Sequence, residues 1–167
     1  MRYVKALAFY ALLFFVQPVL AAIIPVLQVP NLVVCVTLMY MLLKNEEDYT
    51  PVIVAGAVFS MLSDICYGQY AGAGTLAFLA IVVSVFALKH YINNENRLMV
   101  VLTICGASLL YSLVYWAVTA LLGSPYGVIY LIKHALIYMV GDLAVCLCIY
   151  FASIGKIIQD RRDRYFR

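Results

Sequence analysis

Six apolar runs joined by connections of only a few residues leave this chain almost no way to fold in water. Apolar residues make up 66% of its 167 positions and charged residues only 11%. A helix that crosses the hydrocarbon core of a bilayer needs roughly 20 apolar residues for about 30 Å. The length accommodates about six such helices and no sizeable soluble domain beside them. Any chemistry is therefore expected within the membrane or in very short loops.

The runs predict helices over Leu7–Ile24, Leu32–Leu43, Val52–Tyr67, Gly74–Leu88, Leu98–Leu122 and Val128–Ile154. The second is short and is expected to borrow from Val26–Val29. Residues that punctuate helices fall in the gaps: Pro25 and Pro30, Pro51, Gly68 to Gly74, Gly123 to Gly127.

The basic residues set the orientation. Arg2 and Lys5 precede the first helix, Lys44 follows the second, and Lys89 and Arg97 flank the loop after the fourth. Lys156, Arg161, Arg162, Arg164 and Arg167 follow the sixth, and the other three connections carry no Lys or Arg. Basic residues accumulate on the cytoplasmic side. Six crossings with both termini cytoplasmic therefore place ten of the eleven inside, Lys133 being the exception. The expected organisation is one membrane domain over residues 1–155 and a basic cytoplasmic tail over 156–167. The tail suits anionic membrane lipids rather than nucleic acid.

A cleaved signal peptide competes for the first run, with a basic start and Val19-Leu20-Ala21 as a cleavage-like stretch. The apolar run continues through Ala22, Ile23 and Ile24, and removing it would put one end on the wrong side, so a retained helix is expected. The five cysteines, Cys35, Cys66, Cys105, Cys146 and Cys148, lie in or beside apolar runs without a CxxC or zinc spacing, and they read as small packing residues. Nucleotide-binding, nucleophile-elbow and metalloprotease motifs are absent. No cofactor and no metal are implied.

Polar residues inside the spans carry most information, because burying them is costly. Gly56, Ser60, Asp64, Gly68 and Gly72 recur every four residues. That spacing keeps helical neighbours on one face, and a small face admits close approach of another helix, here expected to be a membrane partner's. Asp64 is expected near the outer end of the third helix, as an interfacial carboxylate, as a hydrogen-bond anchor for the turn after it, or as a partner for the sixth helix. In the sixth helix Tyr130, His134, Tyr138, Asp142 and Cys146 again step by four, with Lys133 beside His134. Asp142 lies mid-span and needs a partner or a proton. Two readings stand for this stripe: a proton relay through His134 and Asp142, or polar glue between helices.

The run from Pro30 and Asn31 into a short apolar helix, then Gly56, Asp64-Ile65-Cys66-Tyr67-Gly68 and Gly72-Ala73-Gly74-Thr75-Leu76, resembles the bacterial rod shape-determining protein MreD family. Asp64, Gly68, Gly72 and Leu76 carry the spacing. The last helix departs from the family's pattern, with Gly141-Asp142 and no Pro. The resemblance implies a non-enzymatic scaffold of the peptidoglycan-synthesising cell-elongation machinery in the bacterial cytoplasmic membrane. Its implied partners are MreC, the RodA glycan polymerase with its class B penicillin-binding partner, and MreB filaments reached through cytoplasmic loops or the tail. It also implies a fold similar to the substrate-binding subunits of energy-coupling-factor vitamin transporters. Such a subunit is the alternative function. Against it stand the short outer connections and a first helix in which no two Ala residues are four apart. An intramembrane enzyme would need Asp64, His134 and Asp142 to be oriented as acids and base, and nothing in the sequence orients them.

Overall fold

The computed structural model describes residues 2–23, 31–43, 49–68, 70–89, 97–123 and 127–165. Expectations for the Val26–Val29 extension, for Lys44, and for residues 90–96 and 124–126 lie outside the described residues. Six helices follow one another: α1 Arg2–Ile23, α2 Leu32–Leu43, α3 Thr50–Tyr67, α4 Ala73–Leu88, α5 Arg97–Leu121 and α6 Val128–Tyr165. There is no strand among the described residues. The chain is all-α, and its apolar helices are those of a membrane protein.

Two boundaries depart from the sequence reading by more than two residues. α1 starts at Arg2 rather than Leu7, because Tyr3, Lys5 and Ala6 offer nothing that stops a helix. α6 continues to Tyr165 rather than ending at Ile154. No Pro intervenes there, and the single Gly155 costs a helix only about 1 kcal/mol.

Four helices are long and apolar enough to cross a membrane, over Tyr3–Leu20, Thr50–Tyr67, Leu98–Leu121 and Val128–Ser153. α2 and α4 are shorter. The 12 residues of α2 reach only about 18 Å at 1.5 Å per residue. Their burial explains why α2 holds its place: nine of the twelve are buried, including Val33, Cys35, Met39, Met41 and Leu42. α2 packs against α1, α3, α4 and α6, while α1, α3, α4, α5 and α6 each pack against the next in that order. The core is thus a central short helix wrapped by longer ones. The longer helices turn large apolar side chains outward, such as Phe15 on α1, Val83 on α4, Leu98 on α5 and Ile129 on α6. An exposed apolar surface of that extent fits lipid as its solvent.

Both ends of the α3–α4 pair are fastened. Lys89, just past α4, donates a hydrogen bond to the Tyr49 hydroxyl, just before α3, and its ammonium lies 3.9 Å from the centre of the Tyr49 ring. Pro51 opens α3, where its missing N–H is no loss. The opposite end of the pair carries the site.

Candidate functional site at one end of the bundle

Asp64, in the last turn of α3, serves as a cap for another helix. Its Oδ2 accepts the Thr75 backbone N–H at 2.8 Å and the Thr75 hydroxyl at 2.9 Å. Thr75 is the third residue of α4, and the first residues of any helix carry N–H groups with no acceptor inside it. The residue at the cap position itself is Gly72, which has no side chain to supply one. α4 therefore borrows its cap from α3, and the negative group also sits at the positive end of the α4 dipole.

The glycines around Asp64 serve this junction. Gly72 has φ +90, a left-handed conformation in which a side chain is strained. Gly68 closes α3 by donating its N–H to the Asp64 carbonyl at 3.0 Å, and a Cβ there would press on the same carbonyl. Gly74 lies directly beneath the carboxylate: a Cβ would overlap Asp64 Oδ1 and lie 3.0 Å from the Tyr111 hydroxyl. Oδ1 itself makes no hydrogen bond among the described residues. Asp64 anchors the first turn of α4. The expected hydrogen bonds to its carboxylate from the turn after α3 or from α6 do not occur among the described residues.

The small face of α3 is filled from within the chain. A Cβ on Gly56 would lie 2.6 Å from Cζ of Phe78 on α4 and 3.1 Å from Oγ1 of Thr37 on α2. Ser60 is buried on the same face. Close approach does occur, as the spacing suggests, but the approaching helices are the protein's own. Gly56 and Ser60 are not available to a partner.

Asp142 is buried midway along the α6 span. Its Oδ2 accepts the Ser108 hydroxyl of α5 at 2.5 Å and its Oδ1 accepts the Cys35 thiol of α2 at 3.4 Å. The Cys146 thiol in turn reaches the Cys35 carbonyl at 4.0 Å. A carboxyl group at this depth requires such donors, and here it ties three helices together. Cys35 and Cys146 therefore do more than pack, while Cys148, two residues on, faces outward.

A cavity of about 360 Å³ joins the two acids. Its wall takes Gln17 from α1, Asn31 before α2, Asp64 and Tyr67 from α3, the Tyr111 to Thr119 stretch of α5 and the Tyr130 to Asp142 stretch of α6. Tyr130, His134, Tyr138 and Asp142 all line it, so stepping by four does place the stripe on one face. Tyr67 and Tyr130 are largely exposed and mark the mouth. Asp142 lies deeper by twelve residues of helix, about 18 Å. The Tyr111 and Tyr115 rings stack at 6.2 Å, and the His134 ring lies 3.8 Å from that of Tyr130 and 6.1 Å from that of Tyr138. Asn31 donates to the Tyr111 hydroxyl at 3.2 Å, while its own Oδ1 is buried without a hydrogen bond.

Lys133 is separate from this cavity. Successive helical residues differ by about 100° in direction, so His134 turns inward and Lys133 is exposed on the outer surface of α6. His134 and Asp142 share the cavity, but each has its own neighbours, and the eight helical steps from one to the other span about 12 Å. No group of three or more His, Cys, Asp or Glu able to hold a metal occurs among the described residues. Ser108, which donates to Asp142, and Tyr111, which accepts from Asn31, did not stand out in the sequence, and Asn31 and Thr75 stood out only through the resemblance. Comparison with family models, with curated proteins and with solved structures finds no match to the chain.

Proposed function

We propose that the chain is a scaffold of the cell-elongation machinery in a bacterial cytoplasmic membrane, of the kind to which its MreD-like residues point. In this reading it assembles with an MreC-like single-span protein, a RodA-like polymerase with its class B penicillin-binding partner, and MreB filaments on the inner side. It carries out no catalysis. The observation that supports this most is the α3–α4 junction. Asp64, Gly68 and Gly72, the residues that carry the resemblance, serve one physical task there, which is to fix how α4 leaves α3. Leu76, the fourth, is 53% exposed one turn further on and offers an apolar contact to a partner helix. The acids also favour a structural role, since each is held by its own donors rather than set against a nucleophile.

The test is purification from its own membranes in mild detergent. An MreC-like single-span protein should come with it in near-stoichiometric amount. Recovery of an ATPase-containing module instead would favour the second reading, a substrate-binding subunit of an energy-coupling-factor vitamin transporter. The cavity of about 360 Å³ is the observation in favour of that reading, since small-molecule sites run from about 300 Å³ upward.

The same proposal has all six helices crossing, with α2 and α4 completed by residues flanking them, and both termini cytoplasmic. The cavity mouth then faces outward. Single cysteines at Gln69 and Ser124, in a background without native cysteines, are expected to react with an impermeant thiol reagent in intact cells. A cysteine at Asn94 is expected to be protected. Labelling at Asn94 with protection of the other two would reverse the orientation.

A further inference from the structure

The cavity has a chemical bias independent of any scaffolding role. Aromatic rings from three helices line its wall: Tyr67, Tyr111, Tyr115, Trp116, Tyr130 and Tyr138. Two carboxyl groups, Asp64 and Asp142, and the His134 imidazole are its titratable groups besides tyrosines, and no Lys or Arg lines it among the described residues. The two acids are not equivalent. Both oxygens of Asp142 are taken, by Ser108 and Cys35. Asp64 Oδ1 makes no hydrogen bond among the described residues, and it and the Tyr111 hydroxyl both border the space beside Gly74. A carboxyl group near Tyr111, aromatic rings in the same wall and no Lys or Arg among the described lining residues make a site that attracts positive charge. Ring faces bind ammonium groups through their quadrupole, and more strongly where water is excluded. An anion would meet two carboxyl groups and, among the described lining residues, no Lys or Arg.

We infer that this cavity is a binding site for a small organic ammonium group, seated among the tyrosines and Trp116 with its charge toward Asp64 Oδ1. Such a group has two sources, a soluble amine or the headgroup of an aminophospholipid entering at the mouth marked by Tyr67 and Tyr130.

The chain supplies its own reporter. Trp116 is the only tryptophan in the sequence and it lines the cavity. The intact protein, purified in a maltoside detergent that carries no ammonium, would be titrated with three probes of one shape: choline, 3,3-dimethylbutan-1-ol and 3,3-dimethylbutanoate. Choline is expected to change Trp116 emission saturably, at a concentration at least ten-fold below any response to the neutral or anionic probe. Asp64→Asn, which keeps an acceptor for Thr75, is expected to weaken choline at least ten-fold. Tyr130→Leu removes one ring from the mouth, and is expected to weaken choline several-fold and more than it weakens the alcohol. The absence of a saturable choline response, or an equal or tighter response to the alcohol or the acid, overturns the proposal. So does full retention of choline affinity in a folded Asp64→Asn protein together with Tyr130→Leu. Repeating the titration in phosphatidylglycerol bilayers with and without phosphatidylethanolamine identifies the source. Competition by phosphatidylethanolamine assigns the site to a lipid headgroup, and identical curves assign it to a soluble amine.

Discussion

Gly56→Leu is expected to stop the bundle from closing, rather than to weaken a contact with another protein. The Cβ alone would lie 2.6 Å from Cζ of Phe78 and 3.1 Å from Oγ1 of Thr37. Neither neighbour has space to retreat into, since each is only 1% exposed. Thr37 is further fixed by the Tyr10 hydroxyl at 2.5 Å and by its own bond to the Val33 carbonyl at 2.7 Å. Overpacking of a well-filled core costs about 1–3 kcal/mol and sometimes more. A whole isobutyl group at a position without room for one methyl belongs at the upper end. For a chain of this size about 3 kcal/mol corresponds to a fall in midpoint of roughly 6–12 °C, read by thermal unfolding in detergent. Val58→Leu, on a half-exposed outer position of α3, is the control and should shift the midpoint little. Gly56→Ala combined with Phe78→Leu should recover part of the loss, because the ring end that the Cβ meets is then gone. An unchanged midpoint for Gly56→Leu would mean that α3, α4 and α2 do not meet as described.

This position shows what the spacing of small residues could and could not convey. Gly56 and Ser60 spaced by four identify a face that another helix approaches. They do not identify whose helix it is, because that depends on how α2 and α4 are rotated about α3. The apolar runs located all six helices because hydrophobic length is a local property. The ends that moved, at Arg2 and Tyr165, are those where nothing in the sequence forces a stop. The acids were legible for a similar reason: a carboxyl in an apolar run is conspicuous whatever it touches. Their partners were not. Ser108, Cys35 and Thr75 are unremarkable in a membrane helix, and Cys35 comes to Asp142 across 107 residues of sequence. The cavity falls between these cases. Its α6 wall followed from the step of four through Tyr130, His134, Tyr138 and Asp142, whereas its α5 wall, with Tyr111, Tyr115 and Trp116, reaches it only through the packing of α5 on α4 and α6.

Under the scaffold proposal, Asp64→Ala is expected to abolish support of rod-shaped growth. The substitution leaves the Thr75 N–H and hydroxyl without their acceptor and removes the negative group from the start of α4. Loss of a helix cap costs about 0.5–2 kcal/mol, and leaving a buried donor unpaired costs about 1–3 kcal/mol. A destabilisation of about 2 kcal/mol is therefore expected, with α4 fraying at its first turn. Asp64→Asn keeps one acceptor oxygen and should lose about half as much. Thr75→Val removes the hydroxyl but keeps the backbone N–H, and should lose less than Asp64→Ala. The double variant Asp64→Ala with Thr75→Val should cost less than the two losses added, because the hydroxyl stranded by the first change is absent in the second. Under the scaffold proposal, cells carrying Asp64→Ala become round while membrane abundance of the protein stays near normal, because what is lost is the fixed direction in which α4 presents Leu76. If the carboxylate served stability alone, rounding would track the loss of protein, and raised expression would restore the rods. Rod-shaped growth with Asp64→Ala at normal abundance would remove Asp64 from the functional surface and leave it as the cap of α4.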